Sequence, residues 1–442
     1  MATIAGTGAR QPAGNGERWG ATDSWNFTSF VLGMLLEAYI FGMASIATGW
    51  VTMPTALRSL LLSWAPLWLI IGIAVAGPLS DRVGRKTTFY LTMGLYGVGA
   101  VGLTFSGTYW LILVFLAIML FAAGGEMNTI MTASHEVMPH RHRSKTMMLE
   151  INGINLGGLI LAAVSLASAE QGHFFQRGMI AATFLIVLLV LFFARTKTPE
   201  SIRWLQARGQ DARARTEIER YFGAEQWAAR EAAAQAATRR SDAGTERRRA
   251  PISLRLFATT ATAFAGTAGF GLMTYVLGPE HFPTLTATIL LVATLTGFVS
   301  GFFGFWADRL SRKQLLLAGY AGSLLLTLVI LITKSTWASS LGFFWLLLVV
   351  LNVFVNIAYL TEDTLKGEVW PTRRRGTYTA VVRFVSIGLY IATIYITQSF
   401  NASGLILFSM LVWAIGLAGA VAWYFGGVET GRGVSLDVAS GQ

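Results

Sequence analysis

Long apolar runs alternate with short polar segments along almost all of this chain of 442 residues. A helix of about 20 apolar residues crosses the roughly 30 Å of hydrocarbon in a bilayer, so each run is long enough to span a membrane. The pattern predicts twelve spanning helices, at 24–50, 55–79, 87–105, 109–138, 144–167, 178–194, 252–277, 285–306, 314–333, 337–370, 376–398 and 404–425.

One long polar interruption divides the twelve helices into two groups of six. Residues 195–250 are rich in Arg, Ala, Glu and Gln, and their alanines favour short helices, so they are predicted to form a cytoplasmic linker. The first half then covers 25–194 and the second half 251–428. Residues 1–24 lack the apolar core of a signal peptide and are predicted to be a disordered cytoplasmic tail, while 429–442 form a second tail.

Composition indicates an all-α polytopic membrane protein. Apolar residues make up 54% of the chain and charged residues 13%, a balance that a water-soluble domain of this length would not tolerate. The formal charge of +11 does not indicate nucleic-acid binding, because the cations are not grouped on a soluble domain with interleaved aromatics. The chain has no cysteine, which excludes disulfides and thiolate metal sites.

The positions of the cations predict the orientation. Only Arg58, Arg177 and Lys334 fall in or beside predicted external loops, and Arg383 lies inside a helix, whereas the other thirty lie in or beside the tails, the linker and alternate loops. Positive charge marks the cytoplasmic side of a membrane protein, so both termini are predicted to be cytoplasmic. The expected location is the plasma membrane, or the inner membrane in a bacterium.

Two charged motifs each occur twice, in the same order. Asp-Arg-x-x-Arg-Lys begins at Asp81 and again at Asp308, 227 positions later (308 minus 81). Glu-Val-x-Pro-x-Arg-x-Arg begins at Glu136 and again at Glu368, 232 positions later (368 minus 136). Two motifs that recur at nearly one offset indicate a duplicated half, which is typical of secondary transporters. The alternative is that these loops are only charged topology signals.

The first motif supports the name of a family. With Gly77 before it and Gly84 inside it, the copy at Asp81 resembles the signature Gly-x-Leu-x-Asp-Arg-x-Gly-Arg-Lys of the major facilitator superfamily. In the second copy Ser311 replaces the internal glycine. The resemblance covers nearly the whole chain and implies the major facilitator fold, with twelve helices in two pseudo-symmetric halves around a central cavity.

Shorter segments resemble two branches of that superfamily. The sequence Pro-Glu-Ser-Ile-Arg-Trp-Leu at 199–205 is similar to the Pro-Glu-Ser-Pro-Arg-Trp-Leu of sugar porters. The segment 36–42 is similar to the first helix of metabolite:proton symporters, although Ile40 stands where that branch has Asp. The chain is therefore placed between the two branches.

Two acids are predicted to lie deep in the membrane. Glu37 falls near the middle of the first helix, and Glu126 lies thirteen residues before Pro139, or roughly 20 Å at 1.5 Å per residue. Ionisable groups at that depth are costly, and burial favours the neutral carboxyl, so Glu37 and Glu126 are predicted to carry protons. Alternatively, they only hold helices together.

Other polar groups inside the helices are candidates for substrate binding. Arg383 could clamp a carboxylate with its guanidinium fork, or could form a salt bridge with Glu362 and Asp363 on the preceding helix. Four amide side chains could bind a substrate or could join helices. They are Asn152, Asn155, Asn352 and Asn356.

The repeated loops are predicted to form a cytoplasmic gate that closes while the cavity faces outward, with ion pairs that form and break as the halves rock. The resemblance implies most of the partner residues. The gate residues are Asp81, Arg82, Arg85, Glu136, Arg143, Glu200, Arg203, Asp308, Arg309, Arg312, Glu368, Arg375 and Glu429.

The function expected from these features is import of a small organic solute, such as an organic acid or a sugar, by proton symport through alternating access. The alternatives are a facilitative uniporter, a proton-antiport exporter of the same fold, and a membrane receptor that transports nothing. No enzymatic activity, cofactor, metal or nucleic acid is expected. The expected partners are the solute, protons and the lipid bilayer, and the chain is expected to be a monomer.

Overall fold

The computed structural model describes residues 19–47, 50–52, 54, 57–139, 142–168, 170–244, 250–371 and 374–431. These residues form helices, turns and loops without a strand, which confirms the all-α prediction. Twelve of the described segments are long and apolar enough to cross a membrane, as the sequence predicted.

Six spanning helices form the first half, and three further helices follow in the linker. The spanning helices are α1 (Ala21–Ala47), α2 (Arg58–Val83), α3 (Arg85–Phe105), α4 (Tyr109–Val137), α5 (Arg143–Ala167) and α6 (His173–Thr196). The linker helices are α7 (Ile202–Ala207), α8 (Asp211–Tyr221) and α9 (Ala224–Gly244).

The second half repeats the arrangement with six spans, which include short non-α segments. These spans are α10 (Ile252–Ala268) continued by a π-helical turn (Leu272–Leu277) and a short turn (Gly278–His281), α11 (Thr286–Ser300) continued by a 3-10 segment (Gly301–Trp306), α12 (Arg312–Ile332), α13 (Leu341–Glu368), α14 (Arg375–Ile396) and α15 (Ala402–Gly426). A single turn (Lys334–Trp337) precedes α13.

The seventh span is interrupted where the sequence predicted one helix over 252–277. The α-helix stops at Ala268, and Gly271 adopts a φ of 87°. Only glycine takes up that left-handed conformation without steric cost, so Gly271 permits the break. The helix then resumes as a π-turn whose residues reach the central cavity.

The first helix begins earlier than predicted. Residues 1–18 of the predicted disordered tail lie outside the described residues, as do 432–442 of the second tail, but Ala21 to Ser24 belong to α1. The carboxylate of Asp23 accepts a hydrogen bond from the backbone N–H of Gly20 at 2.8 Å and pairs with Arg230 of α9 at 2.5 Å. These contacts extend the helix by satisfying an N–H at its start.

The linker packs against the first half through an apolar cluster. Its buried members are Val137, Ile202, Trp204, Leu205, Ala214 and Phe222. Because Val137 belongs to α4 and the others belong to the linker segment, the cluster joins α7 and α8 to the same end of the first half as the two charged motifs. This end is the one predicted to be cytoplasmic, and we refer to it as the inner face.

The sixth span is longer than the predicted 178–194, since α6 runs from His173 to Thr196. The extension places Arg195, which the sequence assigned to the linker, in the last turn of a spanning helix. Arg195 is buried there because Glu126 of α4 pairs with it.

Glycines allow close packing inside the first half. A side chain at Gly153 would collide with the carbonyl oxygen of Val31, and one at Gly157 with that of Leu35. Helices α1 and α5 therefore run parallel and in close contact, with residues 122 positions apart at the same level. Across the molecule, α2 packs against α14 and α5 against α11, so the halves meet along two seams with a cavity between them.

Candidate functional site

A central cavity of about 250 Å³ lies between the two halves. Helices α1, α2, α4 and α5 line it from the first half, and α10, α11, α13 and α14 line it from the second. It extends towards the outer ends of the spans, where Ile46, Pro66, Tyr275 and Leu290 form its walls. Contacts between the halves close its inner end.

Five charged side chains lie at the floor of this cavity. Asp363 pairs with Arg383 at 2.8 Å and also with Lys366, while Glu362 pairs with Lys366 at 3.0 Å. Arg383 therefore has one of the partners that the sequence suggested, on the preceding helix of its own half. Its guanidinium also contacts the sulfur atoms of Met127 and Met131 on α4, so it bridges the halves.

Glu37 is the fifth charged residue and differs from the other four. It lines the cavity from α1, and its side chain makes no hydrogen bond or ion pair with any residue that the structure describes. The charges of Arg383 and Asp363 act on it across the cavity. With three acids and two bases, the floor carries one net negative charge when all five are ionised, and Glu37 is the acid without a bonded cation.

Glu126 forms a buried ion pair, as in the alternative prediction that this acid holds helices together. It is fully buried inside the first half, where Arg195 pairs with it and the hydroxyl of Thr92 donates to it at 2.5 Å. Arg195 also lies 3.6 Å from the centre of the Phe89 ring. Glu126 is not among the residues that line the cavity.

The sequence reasoning missed Arg195 and Lys366. Arg195 was missed because it follows the last residue of an apolar run that was drawn too short. Lys366 was counted only among the cations in or beside the cytoplasmic segments, but it is buried and lines the cavity. Its spacing from Glu362 and Asp363 was the available signal, since residues three and four apart on a helix are neighbours.

Three of the four predicted amides join helices. Asn155 donates to Asn152 at 2.9 Å and to Asn356 at 2.8 Å. Asn152 in turn donates to the backbone carbonyl of Phe298, and Asn356 to that of Gly297. This network ties α5 of the first half to α11 and α13 of the second, beside the cavity wall.

Asn352 is the exception among the amides. Its NH₂ group donates to the carbonyl of Leu348 on its own helix at 2.8 Å, and the residue lines the cavity half-buried. No described residue donates to its side-chain oxygen, which leaves that oxygen available to a solute.

The first copy of the gate motif forms a buried ion-pair network at the inner face. Arg85 pairs with Glu136 at 2.9 Å and with Asp81 at 3.0 Å. Glu200 accepts the backbone N–H of Arg85 at 2.9 Å, which places its carboxylate at the start of α3. A carboxylate at a helix N-terminus stabilises the unpaired N–H groups there. The hydroxyl of Ser201 donates to Glu136 at 2.6 Å.

The second copy repeats these contacts. Arg312 pairs with Glu368 at 3.1 Å, and Glu429 accepts the backbone N–H of Arg312 at 2.8 Å at the start of α12. Arg312, Glu368 and Glu429 thus correspond to Arg85, Glu136 and Glu200. The duplication seen in the sequence is present in the geometry.

The two aspartates of the motifs connect the halves. Asp81 accepts hydrogen bonds from the backbone N–H and the hydroxyl of Thr377 on α14, at 3.1 and 2.8 Å. Asp308 accepts the backbone N–H of Lys145 on α5 at 3.4 Å. Thr377 and Lys145 are each the third residue of their helix, so each aspartate caps a helix of the opposite half.

Further contacts at the inner face also cross between the halves. Glu368 accepts from the hydroxyl of Ser144 at 3.3 Å, and Arg375 lies 3.9 Å from Glu136. Arg143 is buried and Arg203 half-buried beside this network, whereas Arg82 and Arg309 are exposed. Neither exposed arginine forms a hydrogen bond or ion pair with a described residue of the opposite half.

Burial raises the pKa of two acids in the loops of this network. The pKa of Glu200 is raised by burial, although the N–H groups of Ser201, Arg85 and Lys86 oppose the shift. The pKa of Asp308 is raised by the same cause, and the N–H of Lys145 and the charge of Arg312 oppose it. Hydrogen bonds to a carboxylate favour its ionised form, so each acid depends on its donors to stay charged.

Comparisons with known proteins agree with this architecture. The model of the Major Facilitator Superfamily matches residues 21–392. The glucose transporter GlcP of Staphylococcus epidermidis is 24% identical over 82% of this chain and 84% of its own length. The niacin transporter NiaP of Acinetobacter baylyi is 27% identical over 46% of each chain.

A solved structure shows the same fold. The proton:xylose symporter XylE, in complex with 6-bromo-6-deoxy-D-glucose, superposes with a TM-score of 0.74 over 95% of this chain and 98% of its own. The two sequences are 20% identical, so the likeness establishes the fold.

Proposed function

The chain belongs to the major facilitator superfamily and is a membrane transporter rather than an enzyme, and we propose that it imports a small polar metabolite by proton symport. The observation that carries the proposal is the unbonded carboxylate of Glu37 in the cavity. Relatives named as glucose and niacin transporters and the fold of a proton:xylose symporter support the same function.

We assign the coupling proton to Glu37. A buried carboxylate without a paired cation is costly when ionised, and an ionised Glu37 leaves the floor of the cavity with one net negative charge, because the other two acids balance the two bases. Proton binding at Glu37 makes the floor neutral. A transporter whose empty cavity is charged and whose loaded cavity is neutral couples the proton to the change of conformation, because only a differential stabilisation shifts such an equilibrium.

The proposed substrate is a neutral, hydroxylated solute such as a sugar. Arg383 and Lys366 are both engaged by acids, so the carboxylate of an organic acid would have to displace Asp363 or Glu362 from its cation. The free oxygen of Asn352 can accept from a hydroxyl. Aromatic rings line the wall above it and offer apolar faces to a sugar ring. They are Phe41, Phe270, Tyr275, Tyr359 and Tyr390.

The gate residues serve the cycle as a latch in this proposal. The cross-half contacts of Asp81 and Asp308 stabilise the outward-facing state and must break before the cavity opens inward. Both termini and the linker then lie in the cytoplasm, and the protein acts in the plasma membrane. The proposed working unit is a monomer.

Uptake into proteoliposomes tests the proposal. Purified protein is reconstituted, and radiolabelled D-glucose, D-xylose and nicotinate are offered with and without an imposed inside-alkaline pH gradient. We expect one of the sugars to accumulate above its external concentration only when the gradient is present.

Each other outcome identifies a different function. Solute equilibration at a rate that does not depend on the pH gradient would make the protein a uniporter. Accumulation of the solute under the reversed pH gradient would make it an antiporter. Transport of nicotinate in preference to both sugars would refute the neutral-solute assignment but not the symport.

A further inference from the structure

Glu150 of α5 is a buried acid that the mechanism above does not use. Its side chain is fully buried, and neither carboxyl oxygen has a hydrogen-bond partner among the described residues. Its polar neighbour is the hydroxyl of Ser134 on α4, and no charged side chain of the described chain acts on it. It therefore differs from Glu126, which has Arg195.

Apart from Ser134, an apolar cluster surrounds this part of α5. The cluster in this region combines residues of α1, α3, α4, α5 and α13. Its buried members are Phe30, Met34, Phe89, Met127, Ile130, Met131, Ala133, Met138, Met147, Ile151 and Leu360. The titratable side chains closest along the sequence are His135 beside Ser134 on α4, and Lys145 and Arg143 on α5. An ionised carboxylate in such a place lacks solvation, so the structure favours the neutral acid.

Along the axis of α5, Glu150 lies between the cavity and the inner face. Ile154, one turn further out on α5, lines the cavity. Helices α1 and α5 keep one register, since Gly153 meets Val31 and Gly157 meets Leu35, both 122 positions apart. Glu150 is therefore level with residue 28 and lies nine residues inward of Glu37, or about 13 Å along the axis.

Closed contacts between the halves separate this region from the inner face. His135 follows Ser134 on α4, and a side chain added at Gly367 of α13 would collide with its ring. Neither ring nitrogen of His135 has a described hydrogen-bond partner. Because α4 and α13 belong to opposite halves, their separation in the inward-facing state exposes Ser134, His135 and the path to Glu150.

We propose that Glu150 is a second protonation site, which holds a proton while the inner gate is closed and releases it to the cytoplasm when the gate opens. On release the O–H bond of the carboxyl breaks, the proton passes to water in the inner cavity, and the carboxylate remains. The direction of the release rests on the proposed symport, whereas the protonation of the buried acid does not. Glu37 then acts as the outer proton site and Glu150 as the inner one.

Infrared spectroscopy of the purified full-length protein in lipid tests this inference without a substrate. A protonated carboxyl has its own C=O stretching band, which Glu150→Gln removes. We expect the parent to show this band at neutral pH and Glu150→Gln to lose it. Glu126→Gln, on the neighbouring helix, is the matched control and should keep the band because Glu126 is paired with Arg195.

Exchange in D₂O tests the gating. The band shifts when the carboxyl proton is replaced by deuterium, and we expect this shift to be about tenfold faster in Asp81→Asn than in the parent, because that variant favours the open inner gate. If Glu150→Gln does not fold, Ser134→Ala replaces it and should shift the frequency of the band, since the hydroxyl beside the carboxyl is lost.

A spectrum that Glu150→Gln leaves unchanged, or equal exchange rates in Asp81→Asn and the parent, would overturn the inference. Failure of the proposed symport has a different signature. In that case the Glu150 band and its gated exchange remain, while a pH gradient fails to drive uptake in proteoliposomes.

Discussion

Asp81 of the first half accepts two hydrogen bonds from Thr377 of the second, one from the backbone N–H at 3.1 Å and one from the hydroxyl at 2.8 Å. The same carboxylate pairs with Arg85 at 3.0 Å. A single side chain thus links the gate network of one half to the start of a helix in the other. We expect this contact to break when the inner face opens.

Replacing Asp81 by Asn should shift the protein towards inward-facing states. The loss of charged hydrogen bonds costs the closed state about 1 to 3 kcal/mol, and about 1.4 kcal/mol changes the ratio of states tenfold. Because the chain has no cysteine, spin labels can be attached at Thr87→Cys and Gln314→Cys, two exposed positions at the inner ends of α3 and α12. Longer label–label distances should become more populated in Asp81→Asn.

Asp308→Asn is the matched comparison. Asp308 makes one long bond of 3.4 Å across the halves where Asp81 makes two shorter ones, so its loss should shift the distances less. Equal distance distributions in Asp81→Asn and the parent would reduce the repeated loops to topology signals.

Glu37→Gln should abolish uptake driven by a pH gradient and spare counterflow exchange of the same solute. The amide keeps the shape and hydrogen-bonding capacity of the side chain but cannot titrate. Glu126→Gln is the control. It breaks the buried pair with Arg195 and should lower the free energy of unfolding by about 3 to 5 kcal/mol. The protein that remains folded should still couple uptake to the pH gradient. Gradient-driven accumulation by Glu37→Gln would remove Glu37 from the coupling mechanism.

Asn352→Ala should weaken solute binding without destabilising the fold. The lost hydrogen bond corresponds to about 0.5 to 1.5 kcal/mol, or roughly a two- to tenfold rise in KM. Asn356→Ala should instead destabilise the fold and leave solute binding unchanged, because its amide donates to Gly297 and Ser300 of α11. Leaving such buried groups without partners costs about 1 to 3 kcal/mol of stability. Thermal melting and uptake kinetics of both variants separate the two roles, and identical effects would contradict them.

Gly77→Ala should hinder closure of the inner gate. The added methyl group would lie 2.6 Å from the Cβ of Ala380 and 3.0 Å from the carbonyl oxygen of Gly376, both on α14 of the other half. Such contacts are too short to persist, so the halves must separate, and the spin-label distances should lengthen as in Asp81→Asn. Gly94→Ala on α3, where nothing lies within 4 Å, is the control and should leave the distances unchanged.

Arg230→Ala should release α9 from the first half. Arg230 pairs with the fully buried Asp23 at 2.5 Å and lies 4.6 Å from the centre of the Phe222 ring. Removing one partner of a buried pair costs about 3 to 5 kcal/mol, since the other charge loses its compensation. Limited proteolysis should cleave the linker faster in Arg230→Ala than in Arg215→Ala, where the arginine is exposed. Unchanged cleavage would show that apolar packing alone holds α9.

The sequence alone determined the features that depend on hydrocarbon solvation and on repetition. An apolar run of span length must form a helix because lipid satisfies no backbone group, so all twelve spans could be predicted. The two motifs at Asp81 and Glu136 recur at Asp308 and Glu368, and this repetition revealed the two halves before any contact was known. It also identified most of the residues that meet at the inner gate.

Only the tertiary structure decided what each buried charge does. Glu37 and Glu126 have the same side chain at similar depth, yet Arg195 arrives beside Glu126 from α6 while the cavity opens beside Glu37. Periodicity predicts on which side of its own helix a residue lies, but it does not predict which other helix packs against that side. Pairing between helices distant in the sequence is set by packing, and for buried acids that pairing determines whether the group binds a cation or a proton.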